Sequence, residues 1–259
     1  MTELSIVIPT LQRAELLERC LYSVERGTQC SFEIVVVDGA STDDTGAVLN
    51  RARQRLGDRL QIIREEQREG FTKAVNKGFR ASTGRFMMWL NDDARPNIGS
   101  LDQALQQMAS ANAKVGLVAL FHAWHGTRSV AYETRISGQV YRLLHARGTL
   151  YANFGLGRRE TFANLNYFDE AYYMNGCDPD FSMKVWHAGM RVEPAYLTAI
   201  DHDELNDANH QADSAKAGAD IDRLFAKWDL PGKNVSRNEF DPANPCTLRG
   251  RRDQAAVAI

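Results

Sequence analysis

The chain has 259 residues, 25% of them charged, with a formal net charge of −2. That length supports one sizeable core, and the near-neutral balance excludes the broad basic field that binds nucleic acid. Its four cysteines, Cys20, Cys30, Cys177 and Cys246, show no C-x-x-C spacing, which argues against a zinc site and a disulfide scaffold and suits a reducing cytosol.

Leu4-Ser-Ile-Val-Ile8 predicts a first strand, ended by Pro9-Thr10. It is too short for a leader's apolar region, and no window approaches the roughly 18–20 apolar residues of a membrane span. The expectation is a soluble, cytoplasmic protein. Leu16, Leu17, Cys20, Leu21 and Val24 then form a helical stripe over Glu15 to Val24. Phe32 to Val37 is a buried strand ending at Asp38-Gly39, and Ser41-Thr-Asp-Asp44 offers N-cap chemistry to a helix carrying Val48 and Leu49. Leu60 to Ile63 reads as a strand, Thr72 to Ala81 as a helix and Arg85 to Leu90 as a strand buried on both faces. A helix from Ile98 to Ala111 and a strand from Val115 to Phe121 continue the alternation. Such alternation implies right-handed βαβ units and a mostly parallel sheet with helices on both faces.

In a parallel sheet the strand ends share one edge, where open α/β sheets bind ligands. Thr10 and Arg13 follow the first strand, Asp38 the second, and Asn91-Asp92-Asp93 the fourth. Adjacent carboxylates repel each other, and a hard cation shared with a substrate phosphate relieves that repulsion. The plainer reading is an Asn/Asp-rich turn, with Asp38 as a helix-capping residue. No G-x-G-x-x-G follows the first strand and no G-x-x-x-x-G-K-[ST] occurs, which argues against dinucleotide oxidoreductases and P-loop nucleotidases.

Taken together, Ser5 to Thr10 with Arg13, Val36 to Thr45, Gly70 to Gly78, Ala81 to Gly84, Leu90 to Asp93, Phe168-Asp-Glu170 and Asn175 to Asp180 resemble the family 2 glycosyltransferases of GT-A fold. The motifs run in family order over roughly residues 4–203. The resemblance implies a GT-A domain over residues 1–204, with a nucleotide-sugar-binding half (1–120), an acceptor half (121–204) and a C-terminal loop, helix and basic tail (205–259). It further implies a nucleotide-diphosphate sugar donor, most often a UDP-sugar, a divalent cation (Mn²⁺ or Mg²⁺), inversion at the anomeric carbon and a glycan or glycolipid acceptor.

By position, the resemblance puts Pro9, Thr10 and Asp38 at the nucleoside base with Arg13 beside them. Lys73 and Asn76 flank ribose and pyrophosphate; Asn91, Asp92 and Asp93 form the metal motif, with Asp93 as ligand and Asp92 nearer the sugar or ribose. Asp178 maps to the general base and His202 to a second metal ligand. Two departures stand out: neutral Asn91 opens the metal motif, and Cys177 replaces the acid that commonly precedes the base. Without the resemblance, Asp178 and Asp180 read as acids favoured at a helix N-terminus, here a helix from Phe181 to Ala188, and His202 as a structural histidine.

Residues 121–160 suggest short strands and loops whose aromatics (Tyr132, Tyr141, Tyr151, Phe154) serve sugar stacking or the core. Asn206 to Ala219 reads as a polar loop or lid, and Ile221 to Trp228 as a helix. The basic stretch Leu248 to Arg252 is a solvated terminus, or a contact with donor phosphates or with anionic lipid at the inner membrane face. A sugar-1-phosphate nucleotidyltransferase is the rival enzyme class, although Pro9 to Arg13 lacks that class's Gly-rich loop. A degenerate nucleotide-sugar-binding protein is the non-enzymatic rival.

Overall fold

The computed structural model describes residues 2–126, 129–203, 214–231 and 240–248. Its first half follows the alternation: β1 (Leu4–Thr10), α1 (Ala14–Gly27), β2 (Phe32–Asp38), α2 (Thr45–Leu56), β3 (Leu60–Arg64), α3 (Phe71–Ala81) and β4 (Phe86–Trp89). β5 (Ala94–Pro96), α4 (Ser100–Ser110) and β6 (Val115–His122) follow. Strands β3, β2, β1 and β4 pair in parallel, in that spatial order. Every side chain of β1, β4 and β6 is buried, as expected where helices cover both faces.

The second half makes the sheet mixed. β7 (Val130–Ile136) and β8 (Gln139–Ala146) form a hairpin, extended by β9 (Thr149–Tyr151). β10 (Gly155–Arg158) inserts antiparallel between β4 and β6. After α5 (Arg159–Asn164) and α6 (Cys177–His187), β11 (Arg191–His202) runs parallel to β6 and receives β5 on its other edge, antiparallel. The last described helix is α7 (Ser214–Lys227).

Helices α1, α2 and α4 press one face of the sheet into one apolar cluster, while α3, α5 and α6 close a second. Phe79, Trp89, Phe162, Phe168 and Phe181 interlock edge-on, tilted or stacked within the second. Gly78 is where α3 meets β1, and a Cβ there would collide with Val7. Among the described residues no helix is long and apolar enough to cross a membrane.

Two predicted helix starts shift by several residues. Helix α6 begins at Cys177 rather than Phe181, because Pro179 sits in its first turn, where a missing N–H costs nothing. This places Asp178 and Asp180 inside the helix. Helix α7 begins at Ser214, well before Ile221; the polar stretch contains Ala217 and Ala219, strong helix formers, so its polarity marks an exposed face. Residues 204–213 and the basic stretch beyond Leu248 lie outside the described residues.

Candidate active site

A cavity of about 510 Å³ opens at the carboxyl ends of β1, β2 and β4. Pro9, Thr10, Arg13, Asn91, Asp92 and Asp93 line one side, and Asp178 and His202 also face it. Residues far apart in sequence are therefore brought to one space.

The acid pair is buried and unequal. Asp92 is held by Thr10 Oγ1, which donates to its Oδ2 at 2.8 Å, and by Arg13 Nη1, which donates to its Oδ1 at 3.0 Å. Burial and the neighbouring Asp93 charge push its pKa up to about 6 against the opposing pull of Arg13 and Thr10. Burial acts the same way on Asp93, but His202 and Arg13 overcome it, and its pKa falls below the ordinary value. Asp93 is thus the acid that stays charged most readily.

His202 Nε2 lies 3.2 Å from Asp93 Oδ1 and 3.4 Å from Asn91 Nδ2. Backbone pairing puts it there: His202 faces Ala94 across β5 and β11, and Asp203 N donates to Asp93 O at 3.2 Å. Asp203 is then locked by two hydrogen bonds from Arg95 (2.6 and 2.8 Å). The imidazole packs edge-on against Phe154 and beside His122. His122 is buried so deeply that its pKa drops to about 3, which leaves it a neutral wedge.

These residues fit a hard divalent cation. Two adjacent ligands on an octahedron with bonds of about 2.1 Å stand about 3.0 Å apart, close to the 3.2 Å between Asp93 Oδ1 and His202 Nε2. Among the described residues no set of three or more His, Cys, Asp or Glu side chains gathers as a metal cage. A cation here would draw its other ligands from phosphate oxygens or water.

Asp178 reaches the cavity from another element, the first turn of α6. Burial raises its pKa from 3.8 to about 7, the range that suits a proton acceptor at neutral pH. Its neighbour Cys177 turns into the apolar cluster beneath and does not line the cavity. Asp180 is a structural anion: fully buried, it accepts from Tyr172 Oη (3.2 Å), Trp228 Nε1 (2.7 Å) and Lys227 Nζ.

Three predicted residues stand elsewhere. Asn76 is fully buried and outside the cavity lining; its amide donates to Phe168 O (2.8 Å) and accepts from Phe168 N (3.0 Å), clamping α3 to the segment before α6. Lys73 is half-buried and does not line the cavity either. Asp38 is buried beside Gly39, which does line it; Asp38 Oδ1 accepts from Ser41 N at 2.9 Å within the loop ahead of α2, which begins only at Thr45, so it braces that loop and caps no helix. Its Oδ2 makes no hydrogen bond and lies 3.4 Å from Arg64 Nε.

The N-cap chemistry expected of Ser41 to Asp44 is carried by Asp43, whose Oδ1 accepts from Thr45 N at the start of α2. Sequence reasoning missed the other supports. Asp43 Oδ2 also accepts from Ala14 N, so the same carboxylate holds the start of α1. Asp220 on α7 accepts from three successive backbone amides, Tyr173 (2.9 Å), Met174 (2.8 Å) and Asn175 (3.0 Å). Met174 and Asn175 line the cavity directly before Asp178. Of the aromatics in 121–160, Tyr141 and Phe154 belong to the core, and Trp124 is the one that faces the cavity.

Residues 5–163 match the family model "Glycosyl transferase family 2". The chain belongs to that family. A PGL/p-HBAD biosynthesis glycosyltransferase of Mycobacterium bovis is 43% identical over 89 residues, 34% of this chain and 34% of the relative. A GalNAc(5)-diNAcBac-PP-undecaprenol beta-1,3-glucosyltransferase of Campylobacter jejuni is 30% identical over 116 residues, 44% of this chain and 37% of the relative. The matched stretches thus span little more than a third of these curated relatives. Among solved structures, a mannosyltransferase of Pyrobaculum calidifontis in complex with GDP-Man and Mn²⁺ superposes with TM-score 0.71 at 22% identity, over 96% of this chain and 69% of that one. S. aureus TarS 1-349 in complex with UDP follows at TM-score 0.62 and 18% identity, over 87% of this chain and 72% of that one. The fold is GT-A, a mixed α/β architecture with a curled central sheet. Family membership sets aside the nucleotidyltransferase alternative.

Proposed function

We propose that this chain is an inverting glycosyltransferase that moves a sugar from a nucleoside-diphosphate donor, a UDP-sugar by preference, to a hydroxyl of a glycan or glycolipid acceptor. The observation that carries this reading is one cavity in which Asp93 and His202, 3.2 Å apart, share a space with Asp178, a carboxylate poised near neutrality. Asp38, one residue behind the cavity-lining Gly39, would accept from a base imide through Oδ2, which makes no hydrogen bond and has Arg64 Nε at 3.4 Å.

In this mechanism Asp178 takes the proton of the acceptor hydroxyl as its oxygen attacks the anomeric carbon from the face opposite the diphosphate. The bond between that carbon and the diphosphate oxygen breaks, and the diphosphate leaves with the electron pair. Asp93 and His202 would hold a divalent cation, Mn²⁺ or Mg²⁺, which when bound neutralises charge on the leaving diphosphate. Asp92, fixed by Thr10 and Arg13, buttresses the floor of the donor site. The acceptor lies on the Asp178 side, and a lipid-linked acceptor would require contact with a membrane face.

The test is donor hydrolysis and transfer over a panel of nucleotide sugars with Mn²⁺ or Mg²⁺. Release of nucleoside diphosphate that stops in EDTA, and is lost in Asp178→Asn, is the expected result. Nucleotide-sugar binding with no turnover under any condition would make the chain a binding protein instead.

A further inference from the structure

Two residues that line the cavity each carry a buried polar atom without a hydrogen bond. Trp124 Nε1 and Asn153 Oδ1 are each shielded from solvent and make no hydrogen bond, although both residues line the cavity. A buried donor or acceptor left unsatisfied costs about 1–3 kcal/mol, so such atoms are normally paired in the working state of a site.

Both residues are held in place by other groups. Trp124 follows β6; its carbonyl accepts from Arg142 Nη1 at 2.6 Å, and its ring stands edge-on to His122. Gly126 closes over the indole, where a Cβ would come within 2.6 Å of Nε1. Asn153 precedes β10, and its carbonyl accepts from Trp89 Nε1 at 2.7 Å. His122 packs against both Trp124 and Phe154, the neighbour of Asn153, and Leu120 N donates to Phe154 O. The two orphan atoms therefore belong to one wall, on two adjacent strand ends.

Their chemistry is complementary. The indole can only donate and the amide oxygen can only accept, whereas a sugar hydroxyl does both. An aromatic side chain beside such polar atoms also suits the apolar face of a pyranose. We propose that Trp124 and Asn153 form a saccharide-hydroxyl subsite that reads the pyranose ring on this wall. The inference rests on the glycosyltransferase reading and adds to it the groups that select the sugar. The same chemistry serves the donor sugar or an acceptor sugar, and the experiment separates these.

The chain has four tryptophans, so its ¹⁵N-labelled indole signals are few, and Trp124→Phe assigns the one of interest while keeping the ring. The wild-type protein is titrated with UDP, then UDP-glucose, UDP-N-acetylglucosamine and GDP-mannose, and finally octyl glucoside in the presence of UDP, all with Mn²⁺. A donor-sugar subsite moves the Trp124 signal with a nucleotide sugar and not with UDP. Trp124→Phe and Asn153→Ala then weaken that nucleotide sugar about three- to tenfold, the value of one neutral hydrogen bond, while UDP affinity holds. An acceptor subsite moves the signal only with the glucoside and leaves donor affinity intact. A signal that stays fixed throughout, with both variants within twofold of wild type for every probe the wild type binds, overturns the subsite alone. A wild-type protein that binds neither UDP nor any nucleotide sugar overturns the functional reading and the subsite with it.

Discussion

His202 Nε2 at the end of β11 and Asp93 Oδ1 in the turn before β5 meet at 3.2 Å, because β5 folds back onto the last residues of β11. Backbone pairing builds this contact, and the proposed function makes it the place where a cation binds. Donor and cation binding should therefore be one coupled event: Mn²⁺ should tighten UDP at least tenfold by calorimetry, and Asp93→Ala or His202→Ala should each erase most of that gain. Equal UDP affinity in Mn²⁺ and in EDTA would refute the coupling.

Asp178→Asn should lower transfer about 10²–10⁴-fold while donor affinity stays within a few-fold, since the amide keeps the shape but cannot take a proton. Wild-type turnover should rise with pH through about 7 as Asp178 ionises. The stability effect has the opposite sense. The folded pKa is raised from 3.8 to about 7, so the fold favours the protonated form; this contribution is complete below pH 3.8 and is lost as pH rises through 7. Asp178→Asn should thus melt above wild type at pH 8, with the gap closing towards pH 4. Thermal melts across that range check the sign.

The strand–helix alternation up to β6 was legible because strands buried on both faces write continuous apolar runs and helices write stripes at i, i+3 and i+4. β10 was not, because its packing demands glycine: a Cβ at Gly157 would sit 2.7 Å from Gly116 O, and one at Gly155 would strike Trp89. Those glycines erase the β-branched signature. β5, three residues ending in Pro96, is too short to show periodicity. At the site, the strand-end acids follow from topology, and the roles of His202 and Asp178 came only through family likeness. The grips of Asp180 and Asp220 left no trace, since a carboxylate bonded to distant groups has no spacing rule.

Asp180 and Lys227 tie α6 to α7 through a fully buried carboxylate. Removing one partner of a buried pair leaves the other uncompensated, although Lys227 keeps Asp169 at 2.8 Å. Asp180→Ala should cost about 3 kcal/mol, a Tm drop of roughly 6–12 °C for a chain of this size. Asp178→Asn should show no such loss at neutral pH. Paired melts of the two variants distinguish a structural acid from a working one.

Gly70 occupies φ +101° at the cavity wall, and a Cβ there would fall 2.7–2.8 Å from the ring and carbonyl of Tyr173. Gly70→Ala should therefore combine backbone strain of about 1–3 kcal/mol with displacement of Tyr173.

The last consequence concerns Asp220, whose carboxylate holds the amides of Tyr173, Met174 and Asn175 directly ahead of Asp178. Charge-assisted bonds of this kind contribute about 1.5–3 kcal/mol each when broken singly, and Asp220 is buried, so water cannot readily replace it. Asp220→Ala should free the loop. Amide hydrogen exchange at 173–175 should then accelerate at least tenfold while the strands β1 and β2 keep their protection. Turnover should fall about tenfold or more, because a displaced base loses the alignment on which proton transfer depends, and UDP affinity, which the proposed function assigns to the ends of β1 and β4, should change little. Asp220→Asn, which keeps one acceptor oxygen, should recover part of the protection and part of the rate. Unchanged exchange at 173–175 in Asp220→Ala would show that the loop is held by its own packing rather than by α7.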